Sequence, residues 1–219
     1  MGKLIVIEGL DGSGKKTQSK LLADWLREQD RKVREIDFPN YSSDSSLFVR
    51  MYLDGVLGNS PDATNAYAAS MFFASDRYIS YKTDWMKDYA DQDTIVIANR
   101  YTTANAYHQL AKLPRSEWDD FLFWLWDFEF VRLGLPEPDA VIALSMHPDV
   151  SHALIEKRCA QTGEHKDIHE SDMEYLNRCY DALQYAAQKM HWIVLTCSDK
   201  NGPYPIDVMQ KRIRSAVRF

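Results

Sequence analysis

A lysine set behind closely spaced glycines at the start of a helix is a cation offered to an anion. Residues 9–18 read G-L-D-G-S-G-K-K-T-Q. Gly9, Gly12 and Gly14 allow a tight turn that aims backbone N–H groups inward. The helix behind them adds partial positive charge at its N-terminus. Lys15 can then reach the outer phosphates of a polyanion as a mobile ammonium group. The candidate phosphate cradle is Gly9, Leu10, Asp11, Gly12, Ser13, Gly14, Lys15, Lys16 and Thr17. The common form of this loop, G-x-x-x-x-G-K, continues with a Ser or Thr whose hydroxyl binds magnesium. Here Lys16 holds that position and the hydroxyl follows one residue later, at Thr17.

Such a loop needs a buried strand before it and a helix after it. Lys3–Glu8 is a short apolar segment of strand character, and Ser19–Gln29 places Leu21, Leu22, Trp25 and Leu26 on one helical face. Leu4–Ile7, Ile95–Ala98, Ala140–Leu144 and Trp192–Thr196 are continuous apolar runs, as expected of parallel strands covered on both faces. Val33–Phe38 is interrupted by Arg34, Glu35 and Asp37 and suits a sheet edge. Helical segments alternate with these strands, which predicts an α/β fold with a parallel sheet. Ligands in such sheets bind beyond the carboxyl ends of the strands. Asp11, Pro39, Tyr41, Asn99 and Arg100 follow those ends.

Other segments carry weaker signals. Gly163–Asp172 is dense in charge between two helical segments, Ser151–Arg158 and Met173–Met190. Its composition alone reads as a solvated loop, and only the phosphate loop upstream favours a lid. Glu117–Leu133 is aromatic on more than one face, so it packs in the core or against a second copy of the chain. His147 and His191 carry no partner pattern and read as structural.

The totals narrow the class. The chain has 219 residues, enough for one domain with a real core. A formal net charge of −6 argues against wholesale nucleic-acid binding. Cys159, Cys179 and Cys197 lack metal-ligand spacing and read as free thiols of a reducing compartment. No apolar run approaches membrane-spanning length, and strand character begins near the N-terminus, so neither a membrane span nor a signal peptide is expected. The expected address is cytoplasmic.

Three further stretches bear on the family. Phe38-Pro39 ends the second strand, Phe72-Phe73-Ala74-Ser75-Asp76-Arg77 lies on a helix, and Asn99-Arg100-Tyr101 ends the third strand ahead of Thr102, Thr103, Ala104 and Asn105. With the glycine loop, this ordered set resembles the thymidylate kinases, nucleoside monophosphate kinases that phosphorylate dTMP with ATP. The resemblance covers essentially the whole chain. It implies a five-stranded parallel sheet flanked by helices, of the P-loop nucleoside monophosphate kinase type. It further implies a single kinase domain over 1–219 with a short lid at about 157–172, and usually a homodimer. ATP and dTMP would be the substrates and Mg2+ the cofactor.

The resemblance also implies roles. Lys15, Arg100 and Asp11 would be catalytic, with Asp11 facing the acceptor nucleotide and reaching magnesium through water. Phe38 and Pro39 would border the acceptor, Phe73 would stack on thymine, and Arg77 would donate to the base. Asn105 would meet the Watson–Crick edge, and His108 would lie near the deoxyribose. Arg100 would bridge the acceptor phosphate and the transferred group, a task suited to a permanently charged planar fork. Lys157, Arg158 and Lys166 would close with the lid. The segment Cys197–Pro205 would edge the adenine pocket.

Three departures from that pattern stand out. Asn99 replaces a common aspartate, Lys16 replaces the metal-binding hydroxyl, and Tyr41 stands where relatives often place a phosphate-binding arginine, for which Arg50 could compensate. They leave two rival expectations: a kinase for another nucleoside or monophosphate on the same fold, or a nucleotide-binding module without catalysis.

Overall fold

The computed structural model describes residues 1–163, 167–199 and 202–217. In chain order the elements are β1 (Lys3–Gly9), α1 (Lys15–Arg27), β2 (Lys32–Asp37), α2 (Leu47–Leu53), α3 (Ala66–Ser80), α4 (Met86–Ala90), β3 (Thr94–Asn99) and α5 (Thr102–Leu110). There follow α6 (Trp118–Trp126), β4 (Ala140–Ser145), α7 (Pro148–Thr162), α8 (Met173–Lys189), β5 (Ile193–Thr196), a small hairpin of β6 (Ser198–Asp199) and β7 (Gly202–Pro203), and α9 (Ile206–Ala216).

Strands β1 to β5 form one parallel sheet in the order β2-β3-β1-β4-β5. Period-two alternation splits the central strands between two cores. Leu4, Val6, Val96, Ala98, Val141 and Ala143 pack with Tyr107, Leu110, Phe121 and α8 on one face. Ile5, Ile7, Ile95, Ile97, Ile142 and Leu144 pack with Leu22 and Leu26 of α1 and Ile213 of α9 on the other. Both faces are covered, which is why these strands read as unbroken apolar runs.

Strand β2 is an edge, as its mixed composition predicts. Strand β5 is the opposite edge, and there the expectation of two covered faces fails: Val194 is 41% exposed. The aromatic segment is likewise only partly buried. Trp118, Phe121, Leu122 and Leu125 enter the core, whereas Phe123 is 71% exposed. His147 turns out to cap α7, its Nδ1 accepting from the Asp149 N–H at 3.4 Å. Among the described residues no helix is long and apolar enough to cross a membrane.

Register aligns the carboxyl ends that matter. Ile7 and Asp37 both lie opposite Asn99, so the glycine loop, Phe38-Pro39 and Arg100 leave the sheet side by side.

Candidate active site

The glycine loop leaves β1 and enters α1 through Gly14, which caps the helix in the left-handed region. Gly12 is required by close packing, since a Cβ there would lie 2.7 Å from the Ser151 carbonyl oxygen. The Ser151 hydroxyl donates to the Asp11 carbonyl, tying the loop to α7. Lys15 is buried; its Nζ donates to the Leu10 carbonyl at 2.8 Å and lies 3.6 Å from Asp11 Oδ1. Burial, then the nearby Arg100, lowers its pKa to about 8.

Arg100 follows β3 with φ +64°, a left-handed conformation uncommon outside glycine and asparagine. Its backbone N–H donates to the Ile7 carbonyl at 3.1 Å, locking that geometry to β1. One terminal nitrogen donates to Asp11 Oδ1. The other donates to the Tyr107 hydroxyl at 3.1 Å and meets His108 Nε2 at 2.9 Å. Burial acts to raise the Asp11 carboxyl, but Arg100 and then Lys15 outweigh it and hold Asp11 well below the usual carboxylate range. Burial, then Arg100 and His169, keep His108 neutral, so its ring can accept from Arg100.

A cavity of about 850 Å³ opens in front of these groups. Asp11, Gly12, Gly14, Lys15, Lys16 and Thr17 line one side. Phe38, Pro39, Phe73, Arg77, Arg100, Asn105 and His108 line the other. Of the remaining cradle residues, Gly9 accepts from the Tyr107 hydroxyl at 2.9 Å, Leu10 is buried, and Ser13 keeps a buried hydroxyl with no partner.

Arg77 is 2% exposed and far from a surface charge pair. Its Nε donates to Glu129 Oε2 at 2.7 Å and one terminal nitrogen donates to Oε1. Glu129, fully buried, also accepts from Thr102 Oγ1 at 2.7 Å and Asn105 Nδ2 at 3.2 Å. One carboxylate thus orients Arg77 and Asn105 together. Asp76, also buried, accepts from the Asn40 N–H and Ser45 hydroxyl and so holds the loop after β2. Arg50 lines the cavity and supports that loop by donating to the Ser43 carbonyl at 2.9 Å and to Ser46 Oγ at 2.6 Å.

The lid residues separate. Arg158 lines the cavity and donates to both oxygens of Glu170, at 2.7 and 2.8 Å. Lys157 is exposed on α7 and outside the cavity lining. Lys166 falls outside the described residues, as do residues 200 and 201 of the expected adenine edge. His169 reaches inward, 2.8 Å from the Tyr52 hydroxyl and stacked on His108 at 5.1 Å between centroids.

Two buried carboxylates behind the site escaped sequence reasoning. Glu8, fully buried, accepts from the Tyr101 N–H, the Thr103 hydroxyl and the Tyr107 hydroxyl, and burial raises its pKa. Glu129 is the other. Each carried a signal: Glu8 is an acid inside an apolar strand, and Glu129 continues the buried stripe of Phe121, Leu122 and Leu125.

Comparison with known proteins bears on the family. The sequence profile of the thymidylate kinase family matches residues 7–202. A thymidylate kinase of Mycobacterium tuberculosis is 30% identical over 197 residues, covering 88% of this chain and 90% of the relative. A probable thymidylate kinase of Methanothermobacter thermautotrophicus is also 30% identical, covering 93% and 84% respectively. The structure of thymidylate kinase from Candida albicans superposes with a TM-score of 0.69 at 20% identity, covering 98% of this chain and 90% of that one. Nothing in these similarities supports another acceptor or a module without catalysis. The chain belongs to the thymidylate kinase family, enzymes that phosphorylate dTMP to dTDP.

Proposed function

We propose that dTMP occupies the cavity between Phe73 and Arg100, with the ATP phosphates in the cradle of Asp11–Thr17. The observation that carries this reading is the position of Arg100. It binds Asp11 of the phosphate loop through one nitrogen and His108 of the acceptor side through the other. A guanidinium there can touch the acceptor phosphate and the transferred phosphoryl group at once.

The acceptor oxygen needs no strong base, because a phosphate monoester's second pKa is about 6. What the site must do is align two polyanions and neutralise their shared charge. Lys15 and the loop amides hold the donor, Arg100 spans the gap, and Asp11 keeps both cations in place. Phe73 offers a flat face to the base. Arg77, with two of its nitrogens committed to Glu129, has a third for the base edge, and Asn105 shares the same carboxylate. His108 borders the sugar. Arg158, with the turn at residues 167–171, forms the lid over the single domain, with Lys157 beside it on α7.

Asp11 and Thr17, both lining the cavity at the cradle, offer the oxygen atoms that suit magnesium. Magnesium keeps several waters and is commonly shared with substrate phosphates. Thr17, and Asp11 through water, are the residues that would hold it. When bound, magnesium supplies charge neutralisation on the phosphate oxygens.

The same reading includes a homodimer. Tyr67, Met71, Tyr78 and Ile79 of α3 and Phe123 of α6 are exposed apolar side chains, and Tyr67 packs edge-on to Trp124 at 4.7 Å. A second copy would cover this face. Free thiols at Cys159, Cys179 and Cys197 suit a cytoplasmic setting.

The direct test is a crystal of the protein with dTMP and ADP, paired with ADP release measured against a panel of monophosphates. We expect the thymine ring on Phe73 and release dependent on dTMP. A nucleotide lying outside the span from Phe73 to Arg100 would refute the site.

A further inference from the structure

Asn99 stands where the related motif carries an acid, yet its neighbour across the sheet is one. Strand register places Asp37 opposite Asn99, and Asn99 Nδ2 donates to Asp37 Oδ1 at 2.7 Å. That bond fixes which end of the amide is used. The end left over, Asn99 Oδ1, is a buried acceptor with no partner among the described residues. The other carboxylate oxygen, Asp37 Oδ2, makes a long contact of 3.9 Å with Lys16 Nζ, whose side chain is 87% exposed. Asp37, Asn99, Lys16 and Thr17 line the cavity beside Lys15.

Magnesium keeps several of its waters and is usually held by one or two carboxylates together with phosphates. Water on a cation donates its hydrogen bonds, so the protein atoms that receive it must be acceptors. Lys16, in the place of the usual hydroxyl, can only donate. Asp37 Oδ2 and Asn99 Oδ1 are both acceptors, and the bond between the two side chains keeps them so. The Asp37 side chain is 51% exposed, and Lys16, Arg100 and Lys15 are the cations that act on it.

We propose that Asp37 and Asn99, alongside Asp11 and Thr17, jointly receive the water shell of the magnesium that accompanies ATP, a second carboxylate being supplied from the end of β2 in place of the end of β3. The assignment rests on Asp11–Thr17 being the ATP cradle. Asp37 is thus a positioning residue for the metal–nucleotide complex, and the Asn99 substitution is compensated within the sheet.

The test uses Mn2+ as a paramagnetic probe with the full chain and a non-hydrolysable ATP analogue. Free Mn2+ is read by electron paramagnetic resonance, and analogue binding is measured separately in EDTA. Asp37→Asn removes the charge but keeps the shape; it should weaken Mn2+ in the ternary complex about tenfold, in the range for groups that support a metal's ligands. Analogue binding in EDTA should hold. The double variant Asp37→Asn with Asn99→Asp exchanges the two side chains and should restore most of the lost Mn2+ affinity. Melting curves confirm that each variant is folded. Unchanged Mn2+ affinity in Asp37→Asn, or a double variant as weak as the single, overturns the proposal. A wild-type protein that fails to bind the analogue in EDTA would instead overturn the cradle beneath it.

Discussion

Glu129→Ala tests the hub behind the base pocket. The wild-type carboxylate is fully buried and accepts from Arg77 twice, from Thr102 and from Asn105. Removing it leaves Arg77, 2% exposed, as a charge without its partner. Breaking such a buried pair typically costs about 3–5 kcal/mol. A chain of 219 residues has an unfolding entropy of roughly 0.5 kcal/mol per degree, so the melting temperature should fall by about 6–10 °C. Differential scanning calorimetry reads this directly. Adding Arg77→Met removes the stranded charge, and the double variant should melt above the single one, because the penalty lies in the unpaired ion more than in the lost attraction. In steady-state kinetics the single variant should raise the KM for dTMP more than that for ATP, since the misplaced groups line the base side of the cavity. A melting shift under about 2 °C, or a double variant no more stable than the single, would refute the argument that Glu129 holds Arg77 by compensating its charge.

Three further outcomes follow from the same geometry. Arg100→Ala should lower kcat on the order of a thousandfold, as for other arginines that stabilise phosphoryl transfer, while ATP binding changes far less; equal losses in both would contradict a role in the transition state. Phe73→Ala should raise the KM for dTMP and leave that for ATP near wild type, and an unchanged dTMP dependence would defeat stacking. The pH dependence turns on Lys15. Its pKa in the free protein is depressed to about 8, so the ammonium form that binds phosphate is present below that pH and lost above it. Calorimetric titration should therefore give ATP affinity that weakens as pH rises past about 8, and a flat profile from pH 7 to 9 would exclude Lys15 as the titrating phosphate ligand.

What could be read from sequence was what lies close in sequence. The cradle of Gly9–Thr17 is contiguous, and β1, β3 and β4 announce themselves because both their faces are covered. Arg100 was legible from its place after a strand and its likeness to a known motif. Glu129 was not, because its place on the buried stripe of Phe121, Leu122 and Leu125 says nothing of its partner Arg77, 52 residues away. Glu8 is similar, held by Tyr101, Thr103 and Tyr107 from across the sheet. Asp37 was read only as an interruption in an edge strand. Its link to Asn99 exists only in the register of β2 on β3. The aromatic segment left core packing and a second copy as alternatives because composition does not say which ring faces out, and Phe123 does. Val194 misled because an edge strand can be as apolar as a central one.

The left-handed backbone at Arg100 has a bearing on how the scaffold can be engineered. A side chain with a Cβ is held there at a cost of about 1–2 kcal/mol that glycine would not incur. Glycine or asparagine at this position would ease the backbone but strand Asp11 without its arginine, a loss larger than the gain. A library sorted for heat resistance would therefore keep the arginine wherever Asp11 is kept, and only paired changes at positions 11 and 100 could free that backbone.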